Sequence, residues 1–246
     1  METGKKAALG ATLVLVAAVG IRVGLIYRER HEGDKAVDKA PTYVVKDDDL
    51  VFLKKTRPST MQDLKDLAGK PLWISAGGQL DYYPYTNKKV DYAHPAGLLL
   101  GADRLDIKDA IQAVAPKGTV ATFRIPGGDH HVLFVFTKPG STTEYAVPVG
   151  NHDATGFNLN NVDDIFFYDD PHVLYKHWSP EIWKAIDEHR VILGMNERQA
   201  MLALGQVSNS GSTDYDNRTV EYDHQGHPVS VTFEHGHATN IRDEKP

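Results

Sequence analysis

Two groups of side chains in this sequence could do chemistry. One is a set of histidines near the C-terminus, with His235 and His237 two residues apart in "TFEHGHATNI" and His224 and His227 a little upstream. Imidazoles at close spacing can ligate a transition metal, most often zinc. The competing reading is a tight turn. Glu234-His235-Gly236-His237 joins two alternating segments, and His235-Gly236 stands where Asn-Gly is usual in a two-residue hairpin loop. Both central residues of that loop need positive φ, which glycine accepts freely and histidine tolerates. The other pair lies in the preceding turn, at the far end of the same strand. At about 3.3 Å per residue the two turns are roughly 20 Å apart, beyond the reach of a single ion. Turn residues are the expectation, and no metal site is assigned. His130 and His131 are adjacent and should face opposite ways on a strand. His172 and His177 lack the i, i+4 spacing of a helical metal pair.

The second group is acidic. In "NVDDIFFYDDPH", Asp163, Asp164, Asp169 and Asp170 flank an apolar centre. Paired carboxylates can hold a hard cation or perform acid–base work. The same pattern arises when solvated ends bracket a buried strand, and Asp170-Pro171 already has the form of a helix start. Asp163, Asp164 and Asp169 are therefore candidate ligand-binding residues, with no catalytic residue assigned. Tyr82, Tyr83 and Tyr85 in "LDYYPY" form a third candidate, an aromatic platform for a small ligand or glycan. No "HExxH", phosphate-cradling Gly-rich loop with Lys-Ser/Thr, or Gly-x-Ser-x-Gly elbow is present. No cofactor is expected.

Composition narrows the choices further. The 246 residues are 41% hydrophobic and 24% charged, as in a chain that buries a core. A net charge of −6 argues against a general nucleic-acid binder, which needs clustered Lys and Arg. The absence of cysteine excludes disulfides, thiolate metal sites and cysteine nucleophiles.

Residues 7–27, "AALGATLVLVAAVGIRVGLIY", reach the length of about 20 mainly apolar residues that a membrane-spanning helix needs. Arg22 is the one charged interruption and lies near the end, where it can snorkel. An uncleaved signal anchor is preferred to a cleaved signal peptide because the apolar run continues past Gly20 to Tyr27. The expectation is a single-pass membrane protein with its remaining part periplasmic or otherwise extracytoplasmic.

The elements that must position the candidates follow from pattern. Residues 1–30 read as membrane anchor and 31–58 as a polar linker. Residues 59–170 read as a β-rich domain, a small barrel or sandwich. Its strands are "PLWIS", "LDYYPY", "GLLLG", "TVATFRI", "HVLFVF" and "EYAVPV", separated by turn residues. Two helices are expected there, one begun by Ser59 with Gln62 three residues on, the other over "LDIKDAIQAVAP". Residues 171–246 read as an α+β domain of two helices on a three-stranded antiparallel sheet. Asp170-Pro171 and Ser179-Pro180 pair a capping side chain with proline at the first helical position. Asn196 caps a helix with Gln199 three residues on, and "RTVEYD", "PVSVTF" and "HATNIR" close the chain as strands. The fold class is therefore α+β with an N-terminal transmembrane helix.

Gly194-Met195, Gln199, Ala203-Leu204-Gly205, Tyr222, Phe233 and Gly236 together resemble the motif of the BamE (SmpA/OmlA) family of outer-membrane assembly lipoprotein domains. The resemblance implies two helices on a three-stranded sheet and a protein-contacting role, with no catalytic residues to carry over. Family members carry an N-terminal lipidated cysteine, which this chain lacks. The remainder resembles bacterial membrane-anchored proteins of uncharacterised function and implies no mechanism.

These readings favour a non-enzymatic, membrane-anchored envelope protein that binds another protein or stabilises an assembly. The alternative is a hydrolase or cation-binding enzyme using the cluster from Asp163 to Asp170.

Overall fold

The computed structural model describes residues 19–30, 45–75, 80–117 and 130–243. The chain divides into two compact units, residues 1–46 and 47–246. In the first, residues 19–30 form a helix, α1. Its described part has twelve residues. Arg22, Arg28, Glu29 and Arg30 all fall within them. No helix among the described residues is long and apolar enough to cross a membrane. The transmembrane anchor is therefore corrected, and the single-pass, extracytoplasmic placement built on it falls with it. Residues 7–18 of that segment lie outside the described residues.

The second unit opens with a 3₁₀ turn, Asp47–Leu50, and an extended stretch to Ser59. Helix α2 (Met61–Lys65) starts one residue later than its sequence signature suggests. Thr60, not Ser59, accepts the Asp63 N–H, and the Asp63 carboxylate reaches back to the Thr60 N–H. Strands β1 (Pro71–Ile74), β2 (Leu80–Thr86), β3 (Lys89–Val90), β4 (Gly97–Leu99) and β5 (Arg104–Val114) follow. Then come β6 (His130–Thr137), β7 (Glu144–Asp153), β8 (Gly156–Asn158), the single turn α3 (Val162–Ile165) and β9 (Phe166–Phe167). The strand expected at "TVATFRI" lies outside the described residues.

These nine strands make one antiparallel sheet, ordered β3-β2-β7-β6-β5-β1-β9, with β4 on β2 and β8 on β7. The end strands β3 and β9 do not pair with each other, so the described strands form no closed barrel. The expected small barrel or sandwich is thus replaced by one continuous sheet. Its spine is the β5–β6–β7 ladder, three long consecutive strands that pair with their sequence neighbours. Strand β6 is buried from His131 to Thr137. Val132, Phe134 and Phe136 fill a core with Leu64, Leu72 and Phe166, while Leu133 faces Tyr83, Tyr92 and Ala115 on the opposite side.

The expected helix over "LDIKDAIQAVAP" is instead β5. A bulge explains the misleading period: Ile107 pairs with Phe136 and Asp109 with Val135, leaving Lys108 as the extra residue. The inward positions become Leu105, Ile107 and Ala110, a 2-then-3 spacing that imitates one face of a helix.

Helices α4 (Pro171–Leu174), α5 (Pro180–Asp187) and α6 (Glu197–Leu204) come next, then β10 (Val207–Asn209), β11 (Arg218–His224), β12 (His227–Glu234) and β13 (His237–Asp243). The C-terminal sheet has four strands, β10-β11-β12-β13, not the expected three. Among the described residues sheet dominates and helices are few and short, so the α+β class with a two-helix, three-strand terminal domain is corrected accordingly. Asp170, Ser179 and Asn196 each accept a backbone N–H at a helix start. His235 and Gly236 take φ of 52° and 76°, so the histidine pair does sit on a hairpin turn. Gln225-Gly226, with φ of 55° and 84°, repeats the device at the other end of β12.

The C-terminal helices share a core with the large sheet. Trp73 and Phe167 pack with Tyr175, Trp178, Trp183, Leu202 and Phe233. The contact is close at Gly101, where an added Cβ would lie 2.1 Å from the Leu202 carbonyl oxygen. Backbone cannot yield as a flexible side-chain tip can. Gly101→Ala is therefore expected to cost about 1–3 kcal/mol by overpacking, read as a lower denaturant midpoint at unchanged slope. An unchanged midpoint would mean that the loop and α6 are not in contact.

Candidate functional site

Residues 47–57 form a strap that two carboxylates pin, one at each end. Asp48 is the first pin. Its Oδ1 accepts from the His177 ring at 2.5 Å and from Trp178 Nε1 at 2.7 Å, and its Oδ2 from Asn196 Nδ2 at 2.9 Å. The side chain is only 13% exposed, so these donors replace the water it has lost. The Asp48 carbonyl accepts from Arg198 Nη1 at 3.3 Å.

Asp163 is the second pin. Its Oδ1 accepts from the Thr56 N–H at 3.0 Å and the Tyr168 hydroxyl at 2.7 Å, and its Oδ2 from the Arg57 N–H at 2.9 Å. The Thr56 hydroxyl lies 3.2 Å from Oδ1 and 2.8 Å from the Tyr168 oxygen, and its single proton serves one of them at a time. Burial pushes the Asp163 carboxyl up, but the hydrogen bonds from Tyr168, Thr56 and Arg57 together outweigh it and hold it below the usual aspartate value. Burial raises the Tyr168 phenol well above its ordinary value, so it remains a donor. Arg57 has a φ of 49°, a left-handed conformation that a non-glycine residue adopts only when its surroundings compel it. In that conformation its N–H donates to Asp163.

Between the pins the strap carries the apolar run Leu50 to Leu53, flanked by Asp49 and by Lys54 and Lys55. Val51 packs on the core beneath, whereas Phe52 is 87% exposed and Leu50 60%. Leu53 lines a groove of about 290 Å³. Phe167, Tyr175, Trp178, Met201 and Leu202 make its apolar wall, and Ser75, Asp164 and Arg198 contribute polar atoms. Tyr175 and Trp178 stack at 4.3 Å with an interplanar angle of 19°.

The acidic candidates do not gather into one centre. Asp163 is occupied by the strap, Asp164 pairs with Lys55 at 3.1 Å on the surface, and Asp169 is exposed. Asp170 caps α4. No group of three or more His, Asp or Glu side chains among the described residues could hold a metal ion. The histidines are dispersed as well. His224 and His237 each meet a backbone carbonyl, of Leu204 and Gly194, and His172 sits between Asp170 and Asp187.

The three tyrosines do not line one pocket. Strand alternation sends Tyr82 into the core with Phe136 and Tyr145, at ring distances of 5.8 and 5.0 Å, and Tyr83 to the opposite face against Tyr92. Tyr85 follows Tyr83. Asp48, Phe52 and Arg198 carry the site but escaped the sequence reading. The available signal was the apolar "LVFL" inside a polar linker, directly after three aspartates. No protein-family model, curated protein or solved structure matches the chain.

Because the folded-state pKa of Asp163 is depressed, its contribution to stability is full above the ordinary aspartate value and is lost as pH falls through the folded value. The Thr56 and Arg57 amide resonances should therefore shift together in acid, with a midpoint below that of a free aspartate. Asp163→Ala should abolish the transition and cost about 0.5–1.5 kcal/mol, chiefly through the part-buried Tyr168 hydroxyl that loses its acceptor. A midpoint at the ordinary aspartate value would show that the carboxylate does not hold the strap.

Proposed function

We infer that this protein is a protein-interaction module whose contact element is the pinned strap. One observation carries the reading: Phe52, 87% exposed, stands on a segment clamped on both sides. Single exposed apolar residues are ordinary on protein surfaces and need no account. A fixed one is different, because a partner that covers it orders little new backbone and so loses little entropy. Buried aromatic anchors are also where binding energy concentrates. Leu50, on the same strap, extends the apolar surface. The resemblance of residues 194–236 to a family of protein-contacting domains points the same way.

Nothing favours the hydrolase reading, since Asp163, Asp164 and Asp170 are engaged in separate structural tasks and Asp169 is exposed apart from them. The role proposed is recognition or stabilisation of another protein, with no chemistry performed.

A photo-reactive residue in place of Phe52 should give a discrete cross-linked species in native cells, and the same group at the exposed Lys65 should not. Phe52→Asp should abolish co-purification of that species, and at hot-spot magnitudes of about 2 kcal/mol Phe52→Ala should weaken it roughly 30-fold. Thermal unfolding should be unchanged in both variants. Equal labelling from positions 52 and 65 would overturn the proposal.

A further inference from the structure

Arg198 is an exposed residue that lines the groove beside the strap. Its Nη1 donates to two neutral oxygens, the Asp48 carbonyl and the Tyr175 hydroxyl, each at 3.3 Å. Among the described residues no carboxylate pairs with it, and neither Nε nor Nη2 has a hydrogen-bond partner. The nearby acids are otherwise engaged: Asp48 by His177, Trp178 and Asn196, Asp164 by Lys55, and Glu197 by Arg218.

The vacant edge has a definite chemistry. Nε–H and Nη2–H point in parallel and match the two oxygens of one carboxylate. The protein uses this edge twice elsewhere. Arg104 presents Nε and Nη2 to Asp106 Oδ1 at 3.0 and 2.9 Å, and Arg218 presents them to the two Glu197 oxygens at 2.9 and 2.5 Å. At Arg198 the remaining amine already fixes the plane of the guanidinium, with its carbon 5.9 Å from the centre of the Tyr175 ring. The groove that Arg198 lines is walled mainly by apolar residues, Phe167, Trp178, Met201 and Leu202 among them, with Ser75 and the Lys55-paired Asp164 as its other polar members. A volume of about 290 Å³ lies at the small end of ligand sites.

We propose that this groove binds a small carboxylate with an apolar tail, the carboxylate seated on the Nε–Nη2 edge of Arg198 and the tail laid along Phe167, Trp178 and Met201. Charge selects the head group, because an amine would meet the guanidinium with like charge and an alcohol would fill only half the fork. The site is independent of the exposed Phe52 and does not require the protein-binding role.

Three probes with one tail test it on the full-length protein: octanoate, octanol and octylamine. Octanoate should bind saturably, shifting the Met201 methyl resonance (identified with Met201→Leu) and the Trp178 indole resonance. Octanol should bind at least ten-fold more weakly, and octylamine should not bind. Arg198→Gln should reduce octanoate to the affinity of octanol while leaving octanol unchanged, and Arg198→Lys, which keeps the charge but not the fork, should fall between. Equal affinity for octanoate and octanol in the wild-type protein would overturn the proposal, whatever the variants do. So would octanoate binding that leaves Met201 and Trp178 unmoved. Loss of cross-linking at position 52 has no bearing on either result.

Discussion

Two residue pairs at the edge of the large sheet hold the second unit together. Trp73 lies opposite Phe167, and Ile74 opposite Phe166. Side chains on a strand alternate between faces. Ile74 and Phe166 therefore enter the core lined by Phe134 and Phe136, while Trp73 and Phe167 enter the core lined by Trp178, Leu202 and Phe233. This short ladder is a wall common to both. Neither core can be completed without it, which is why α4, α5 and α6 are not a free-standing module set after a linker. The same alternation places Phe167 in the groove wall. Gly101 permits the arrangement, since only a residue without Cβ lets the loop before β5 come so close to the end of α6.

The strap uses that wall as its seat, and its cost lies in polar atoms rather than apolar ones. Burying a carboxylate is unfavourable unless donors replace water. Asp48 and Asp163 each gather three donors or more, which makes the two ends well defined. The donors at Asp163 come partly from the strap's own backbone, so the carboxylate acts as a receptor for a chain segment and not as a reactive group. An acidic cluster with a depressed carboxyl, a nearby phenol and a bound hydroxyl has the ingredients of an acid–base site. Its geometry shows a different use: the lone pairs are consumed by groups that do not leave.

What the sequence disclosed and what it hid divide by the range of the interactions. Caps and tight turns are local, and Asp170, Ser179, Asn196 and His235-Gly236 were all legible because their partners lie within a few residues. The terminal strands were legible for the same reason, since each hairpin pairs with its neighbour. The bulge at Lys108 defeated periodicity by shifting it by one residue, so a strand presented a helical face. Tyr82, Tyr83 and Tyr85 looked like a cluster because they are close in sequence, but alternation separates Tyr82 from the other two. The strap was invisible. Its contacts link Asp48 to His177 and Thr56 to Asp163 across more than a hundred residues, and no local pattern encodes them. The apolar N-terminal run was read as a spanning helix from its composition, whereas no helix among the described residues is long and apolar enough to cross a membrane.

The exposure of Phe52 follows from the pins and is not an accident of a loose loop. In an extended chain consecutive side chains point opposite ways, and here Val51 packs inward while Phe52 turns to solvent and Leu53 turns to the groove. Turning Phe52 inward would require a one-residue slip. That slip would carry the Thr56 and Arg57 N–H groups past the Asp163 carboxylate and break the charge-assisted hydrogen bonds that both make to it. The register that leaves Phe52 in water is the one in which Asp48 and Asp163 keep their donors.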